Sequence, residues 1–154
     1  MYDYVVRESI ERLIKEWANK VNIFQKVKNL LANHCETQEN HQDEQLRSRY
    51  YKTTAANALK TVKEIIEKSP HFKLLSVSEE RGELSVAVSK GKKAFMVITV
   101  ISVRPFETAI DFSVTTETKL LPFDFGFSRN VILDMYKKLD QHLTYIGSGI
   151  NADM

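Results

Sequence analysis

The chain has one cysteine, Cys35, among 154 residues, so no intrachain disulfide can form. A chain of this length can bury enough apolar surface to fold without a disulfide or a structural metal. Its first residues, Met-Tyr-Asp-Tyr-Val-Val-Arg-Glu, place charges too early for a secretory signal peptide. We therefore predict one domain over residues 1–154 in a reducing, cytoplasmic location.

The chain also lacks an excess of charge of either sign. Its 22 basic and 20 acidic residues give a formal net charge of +2, which argues against a nucleic-acid partner. Arg47, Arg49, Tyr50 and Tyr51 do interleave cations with rings that could stack on bases, but the charge balance favours an ordinary strand there. No apolar run approaches the roughly 20 residues of a membrane-spanning helix, so we predict no membrane span.

Catalytic motifs are missing as well. The sequence contains no glycine-rich phosphate loop. The stretch Gly126-Phe127-Ser128-Arg129-Asn130 lacks the second glycine of a nucleophile elbow. Ser128 is better suited to be the N-cap of the last helix. We accordingly predict no enzyme activity and no cofactor.

One loop carries several residue types that bind metals. His34, Cys35 and His41 lie within eight residues of one another, with Glu36 and Asp43 nearby. These donors suit zinc, but no second cluster with a recognised spacing accompanies them. We therefore predict a polar loop over residues 35–45 without a metal site. The donor types alone leave open whether the segment 34–43 binds a metal ion.

Residues 3–34 predict one long helix, because apolar side chains recur every three or four positions without proline or glycine. At about 1.5 Å per residue, this helix is longer than a small domain is wide. Its apolar stripe covers the domain's own core or forms a seam with a second copy or another protein partner. The seam residues would be Ile10, Ile14, Trp17, Val21 and Phe24.

The rest of the chain predicts an α+β core over residues 46–146, with residues 1–34 as an N-terminal helical extension. A short strand is plausible over 46–52, and a helix capped by Thr53 or Thr54 runs to Lys68. The apolar period then changes to two, which is typical of strands. These predicted strands are Phe72–Ser78, Leu84–Ser89, Ala94–Val103 and Thr108–Thr118.

Short links between these strands favour an antiparallel meander of four or five strands. The strand Ala94–Val103 is apolar on both faces, so we expect helices on one side and the N-terminal helix or a second subunit on the other. A last helix is predicted from Arg129 to Tyr145, followed by Gly147 as the C′ residue and a frayed tail. This order looks like one half of a TATA-binding-protein-like fold, an analogy that implies no DNA binding.

The junction before the last helix, residues 122–130, combines three phenylalanines with Asp124, Gly126, Ser128 and Arg129. One interpretation is architectural, with the phenylalanines anchoring the junction and Asp124 linked to the helix start or to Arg129. The other is an anion site, because a helix N-terminus and a guanidinium both favour negative charge. The predicted ligand-binding residues are Asp124, Ser128 and Arg129.

Residues 55–143 resemble a bacterial family of domains of unknown function. Ile110-Asp111-Phe112 matches the family's "v-d-v" strand, and Asp124-Phe125-Gly126-Phe127-Ser128-Arg129, with Ile132, matches its "D-x-G-x-N-R-x-R-I" helix start. Ser113 and Val131 stand where the family has arginines. The family has no established activity, so the resemblance implies a helix, meander and helix fold and leaves function open.

We expect a non-enzymatic binding or protein-interaction module that uses the N-terminal helix and the doubly apolar sheet. The alternative is a binder of a small apolar ligand or an anion, with a pocket between the sheet and the last helix. That pocket would be lined by Phe95, Phe112 and Met135.

Overall fold

A computed structural model describes residues 10–16, 34–117 and 124–149 of the chain. Residues 10–16 are helical. Two longer helices follow, α1 (Ala55–Lys68) and α2 (Phe127–His142), together with a short 3-10 helix (Glu44–Leu46). The strands are β1 (His34–Glu36), β2 (Arg49–Tyr51), β3 (Phe72–Ser78), β4 (Glu83–Lys90), β5 (Lys92–Arg104), β6 (Glu107–Thr116) and β7 (Tyr145–Ser148).

All described strands join one antiparallel sheet in the order β3-β4-β5-β6-β2-β7, and β1 also pairs with β6. The predicted α+β class and the antiparallel meander are therefore confirmed. The predicted count of four or five strands is wrong, because seven strands take part. The two unexpected strands are β1 and β7, which are only three and four residues long. They form because β6 and β2 offer them backbone groups that would otherwise lack partners.

The start of the sheet corrects the predicted limits of the N-terminal helix. His34 and Cys35 lie in β1, opposite Thr115 and Val114 of β6, rather than at a helix end and in a loop. Ile10 and Ile14 lie in the helical segment 10–16. The other predicted seam residues, Trp17, Val21 and Phe24, fall outside the described residues.

The hydrophobic core lies between one face of the sheet and the two helices α1 and α2. Ala94, Met96, Ile98 and Val100 alternate along β5 and are all buried on this face. Leu84, Val86, Val88, Ile110, Phe112 and Val114 extend the buried face across β4 and β6. α1 adds Ala58, Val62, Ile65 and Ile66, and α2 adds Val131, Ile132, Met135, Tyr136 and Leu139.

The opposite face of the sheet, here called the open face, carries Phe95, Val97, Thr99 and Ile101 of β5. Phe95 is 42% exposed and Ile101 is 50% exposed. Strands β4 and β6 flank this row with small or polar side chains, because Ala87 and Thr115 face Phe95 while Ser85 and Ser113 face Val97. The two-sided apolar pattern of β5 thus leads to one buried face and one exposed face.

The C-terminal end also differs from its prediction. α2 ends at His142, and Leu143 closes its last turn by donating its N–H to the carbonyl of Leu139 at 2.8 Å. Gly147 is not a C′ residue, since it lies in β7 opposite Tyr50. The Tyr145 ring also packs edge-on against Tyr51, 6.0 Å between centroids. Residues 147 and 148 of the predicted frayed tail are therefore part of the sheet, and residues 150–154 fall outside the described residues.

Among the residues described, no helix is both long enough and apolar enough to cross a membrane.

Candidate functional site

The junction before α2 is organised by the carboxylate of Asp124, which is 2% exposed. Asp124 accepts hydrogen bonds from the backbone N–H of Gly126 at 2.9 Å and of Ser128 at 3.1 Å. It also accepts from the hydroxyls of Ser128 and Thr116. These bonds satisfy N–H groups that a helix start leaves without intrahelical partners. The structural role predicted for Asp124 at the helix start is present in this geometry.

Ser128 does not have its predicted place. The N-cap of α2 is Gly126, with φ of 80°, and Ser128 lies inside the first turn as a donor to Asp124. The sequence prediction failed because Asp124 reaches over the turn and takes the capping role from outside the helix. Phe125, expected to anchor the junction, is instead 64% exposed, and Lys92 Nζ lies 5.4 Å from the centroid of its ring.

Arg129 bonds to a partner that the sequence did not suggest. Its Nε donates to Asp43 at 2.9 Å, and its terminal nitrogen Nη2 donates to Gln45 at 2.6 Å. The predicted Asp124–Arg129 link is therefore wrong, and Arg129 joins α2 to the 3-10 helix 44–46. Burial alone would raise the pKa of Asp43, but the hydrogen bonds from Arg129 and from the Gln45 N–H outweigh it and lower that pKa. The anion site at Asp124, Ser128 and Arg129 stays a prediction, and an anion there would compete with Asp43 and Asp124.

The candidate metal donors point in different directions. His34 Nδ1 lies 2.7 Å from Thr115 Oγ1, and His41 Nδ1 accepts the backbone N–H of Asp43 at 3.0 Å. Cys35 shares the core face with Val114, and burial, helped by the negative charge of Asp124, raises the thiol pKa to about 11. Within the three described ranges, no group of three or more histidine, cysteine or acidic side chains is close enough to hold a metal ion.

The arginine and tyrosine side chains of β2 are engaged inside the protein. Arg49 forms an ion pair with Asp140 at 2.7 Å and lies 4.4 Å above the Tyr136 ring. Tyr51 is fully buried and donates its hydroxyl to Asp140 at 2.9 Å. The buried Tyr51 ring is not available for stacking on a base, whereas Tyr50 is half-buried and donates its hydroxyl to Glu39.

A polar network fastens the loop 37–48 to β6. Asp111 Oδ1 accepts hydrogen bonds from Thr37 Oγ1 and Ser48 Oγ, both at 2.6 Å. Burial raises the pKa of Asp111, the nearby charge of Glu39 adds to this, and the two hydroxyl bonds oppose it. Glu39 in turn accepts the Tyr50 hydroxyl on Oε1, while its Oε2 is buried without a hydrogen-bond partner among the described residues.

Because the folded-state pKa of Asp111 lies above its ordinary value of 3.8, the folded protein binds this proton more tightly than the unfolded chain does. The stability that this bound proton contributes is fully present below pH 3.8, is lost as the pH rises from 3.8 through the folded-state pKa, and does not change further above it. We expect Asp111→Asn to become more stable relative to the wild type as the pH increases from about 3 to about 7. Urea unfolding of both proteins across this range measures the effect, and a relative gain by the wild type would contradict it.

Asp111→Ala is the matched control, because it also removes the titration but leaves the hydroxyls of Thr37 and Ser48 without their acceptor. We expect it to be less stable than Asp111→Asn by about 1–3 kcal/mol, the usual cost of unsatisfied buried donors. Equal stability of the two variants would mean that the hydroxyl bonds contribute nothing.

The predicted pocket between the sheet and the last helix does not form as expected. Phe112 and Met135 are buried in the core, and the Phe112 ring packs edge-on against Tyr136 with centroids 4.9 Å apart. Phe95 lies on the open face, since it alternates with the buried Met96. The three side chains therefore cannot line one pocket.

A groove instead lies beside the other helix, between α1, the β3–β4 turn and β5, and encloses about 660 Å³. It is open to solvent on one side. Its apolar lining comes from Ala55, Ala56, Leu59, Val77, Val100 and Ile101. Its charged lining comes from Lys60, Lys63, Glu79, Glu80 and Arg81, and Gly82 and Ser102 complete it.

Sequence reasoning missed this groove because no motif marks it. Lys60 and Lys63 are three residues apart on the solvent face of an amphipathic helix, where lysine is ordinary. The only local sequence feature at the groove is the turn Arg81-Gly82, and such a turn predicts a link between two strands but no groove. The groove exists because that turn folds back onto β5, a contact between distant residues.

A scan of the chain against protein-family models found no match, and a search of the curated proteins found no relative. The resemblance of residues 55–143 to a bacterial family therefore stays a prediction.

Proposed function

We propose that this protein is a non-enzymatic interaction module that forms a homodimer through its N-terminal apolar stripe and the open face of its sheet. The observation that carries the proposal is the exposure of Phe95 and Ile101 in the middle of a seven-stranded sheet. Outward positions of a one-sided antiparallel sheet are normally polar. Large exposed apolar side chains on one sheet face are typical of a surface that binds another protein.

A second apolar surface on the same chain supports self-association. In the helical segment 10–16, Ile10, Leu13 and Ile14 are all exposed, and Ile14 is 59% exposed. Two unpartnered apolar surfaces on one chain can bury each other across a two-fold axis, and each buried Å² contributes about 25 cal/mol. The net charge of +2 also keeps repulsion between two copies small.

Light scattering coupled to size-exclusion chromatography tests the dimer directly. We expect the wild type to elute with twice the chain mass. Ile14→Glu places a charge in the stripe and should shift the population to monomer. Lys15→Glu, which introduces the same side chain at the neighbouring polar position, should leave the dimer intact.

The open face is tested by Ile101→Glu in the same measurement, with far-ultraviolet circular dichroism to verify the fold. A dimer that dissociates on either Ile14→Glu or Ile101→Glu supports the proposal. A wild type that is monomeric at all concentrations would refute it, and the stripe would then cover its own domain. An unchanged mass after Ile14→Glu and Trp17→Glu, with both variants folded, would refute it as well.

A further inference from the structure

We infer that the groove between α1 and the β3–β4 turn binds a small organic carboxylate with an apolar body. This site is separate from the proposed dimer surfaces, apart from Ile101 at its edge, and does not depend on them. Its volume of about 660 Å³ falls within the range of roughly 300–1,000 Å³ that is usual for small-molecule sites.

The floor of the groove is apolar. Leu59 of α1, Val77 of β3 and Val100 of β5 meet there from three different elements. Leu59 and Val77 are only partly buried, although both pack against the core. An apolar ligand body would remove their remaining surface from water, and this supplies the non-directional part of the affinity.

Cations line both walls of the groove. Lys60 and Lys63 line the groove from α1, and Arg81 lines it from the β3–β4 turn. Across the described ranges, none of these three side chains takes part in an ion pair or a hydrogen bond. Three unpaired cations around an apolar floor match a ligand that is apolar over most of its length and carries a negative charge at one end.

Two carboxylates narrow the choice of anion. Glu79 and Glu80 lie on the same turn as Arg81 and also line the groove. Three cations against two carboxylates leave the groove lining with a net formal charge of +1, which one carboxylate neutralises and a phosphate monoester, with nearly two negative charges at neutral pH, exceeds. The lining therefore favours a monoanionic carboxylate.

The β3–β4 turn is held in place independently of any ligand. The Val100 N–H donates to the carbonyl of Gly82 at 2.7 Å, so the turn is fastened to the central strand β5. This contact holds the turn that carries Arg81 against β5 before a ligand arrives. Because the turn is already fixed in the free protein, ligand binding loses less conformational entropy.

Calorimetric titration with decanoate and naphthylacetate, each compared with its neutral primary amide, tests the inference on the full chain. We expect both carboxylates to bind and their amides to bind at least about fivefold more weakly. Amide chemical shifts of isotope-labelled protein should change at Leu59, Lys63, Gly82 and Val100. Binding of the amide with equal affinity, shifts confined to the open face, or no binding at millimolar carboxylate would each overturn the inference.

Variants with opposite expected effects sharpen the test. Lys60→Gln combined with Lys63→Gln should weaken carboxylate binding roughly fivefold, and Arg81→Gln should weaken it about threefold. Glu79→Gln combined with Glu80→Gln should tighten it about twofold to fivefold. Lys68→Gln, on the last turn of the same helix and outside the groove, is the control and should bind as the wild type does.

The direction of each change in affinity distinguishes a carboxylate site from a site for a cationic or zwitterionic ligand. Weaker binding after loss of the two glutamates would overturn the inference, because a cationic or zwitterionic ligand would then fit the groove better. Unchanged affinity in the lysine and arginine variants would overturn it too. Since the dimer measurement reads mass, and its variant Ile14→Glu lies outside the groove, either proposal can fail while the other stands.

Discussion

Replacing Asp124 with alanine should lower the free energy of unfolding by about 3 kcal/mol. The carboxylate is 2% exposed and accepts two backbone N–H groups and two hydroxyls, all donated by side chains or backbone of the α2 junction and β6. Removing it deletes the cap of α2, which costs about 1 kcal/mol. It also leaves buried donors without an acceptor, which costs about 1–3 kcal/mol more.

Urea unfolding followed by circular dichroism measures this loss, and Arg129→Gln is the comparison. Arg129 is partly exposed and pairs with a partly exposed Asp43, so its loss should cost less than about 1 kcal/mol. The contrast between the two variants separates the roles proposed for this junction. A stable Asp124→Ala protein with altered binding of sulfate, used as a probe anion, would instead favour the predicted anion site at Asp124, Ser128 and Arg129.

The parts of the fold that the sequence predicted are those with a local cause. β3 was predicted with its observed limits, Phe72–Ser78, because its residues alternate between turn signals, apart from the register shift between Leu74 and Ser76. α1 was likewise predicted from its own apolar period and from a capping threonine. That cap is Thr54, whose side chain accepts the Asn57 N–H. In both elements the pattern that forms the structure lies within the element.

The failures have a non-local cause. β1 and β7 are strands only because β6 and β2 pair with them, and neither carries a period of its own. The partner of Arg129 lies 86 residues earlier in the chain, so proximity in sequence favoured Asp124 over Asp43. The groove likewise depends on a turn that folds back onto β5. The candidate site therefore could not be predicted from local patterns, even where the residues themselves had been identified.

β5 shows an intermediate case. Its two-sided apolar pattern predicted a cover on each face, and the face with Met96 and Ile98 is buried under the helices, whereas the cover of the other face stays a prediction. The pattern could not say what lies on the other face, because an apolar side chain is equally consistent with an intramolecular cover and with a second subunit. That choice depends on partners, and only the mass measurements proposed above distinguish them.

The turn that forms one wall of the groove leads to the second large effect. Gly82 has φ of +67°, and a Cβ atom built on it would lie 2.2 Å from the backbone oxygen of Val100. Gly82→Ala must therefore adopt a left-handed conformation, at about 1–2 kcal/mol, and also push the turn away from β5. The shift breaks the bond from Val100 N–H to Gly82, which adds about 1 kcal/mol. We expect a total loss of about 2–3 kcal/mol in the free energy of unfolding.

Gly91→Ala is the matched control for this variant. Gly91 lies in the β4–β5 turn with φ of +82°, and a Cβ atom there would meet nothing within 4 Å. It should lose only the conformational part, about 1–2 kcal/mol, so the difference between the variants isolates the contact with Val100. If urea unfolding shows the same loss of unfolding free energy for both variants, the β3–β4 turn can move away from β5 without a measurable cost. The same displacement shifts the turn that carries Arg81 and lines the groove, so Gly82→Ala should weaken carboxylate binding while Gly91→Ala leaves it unchanged.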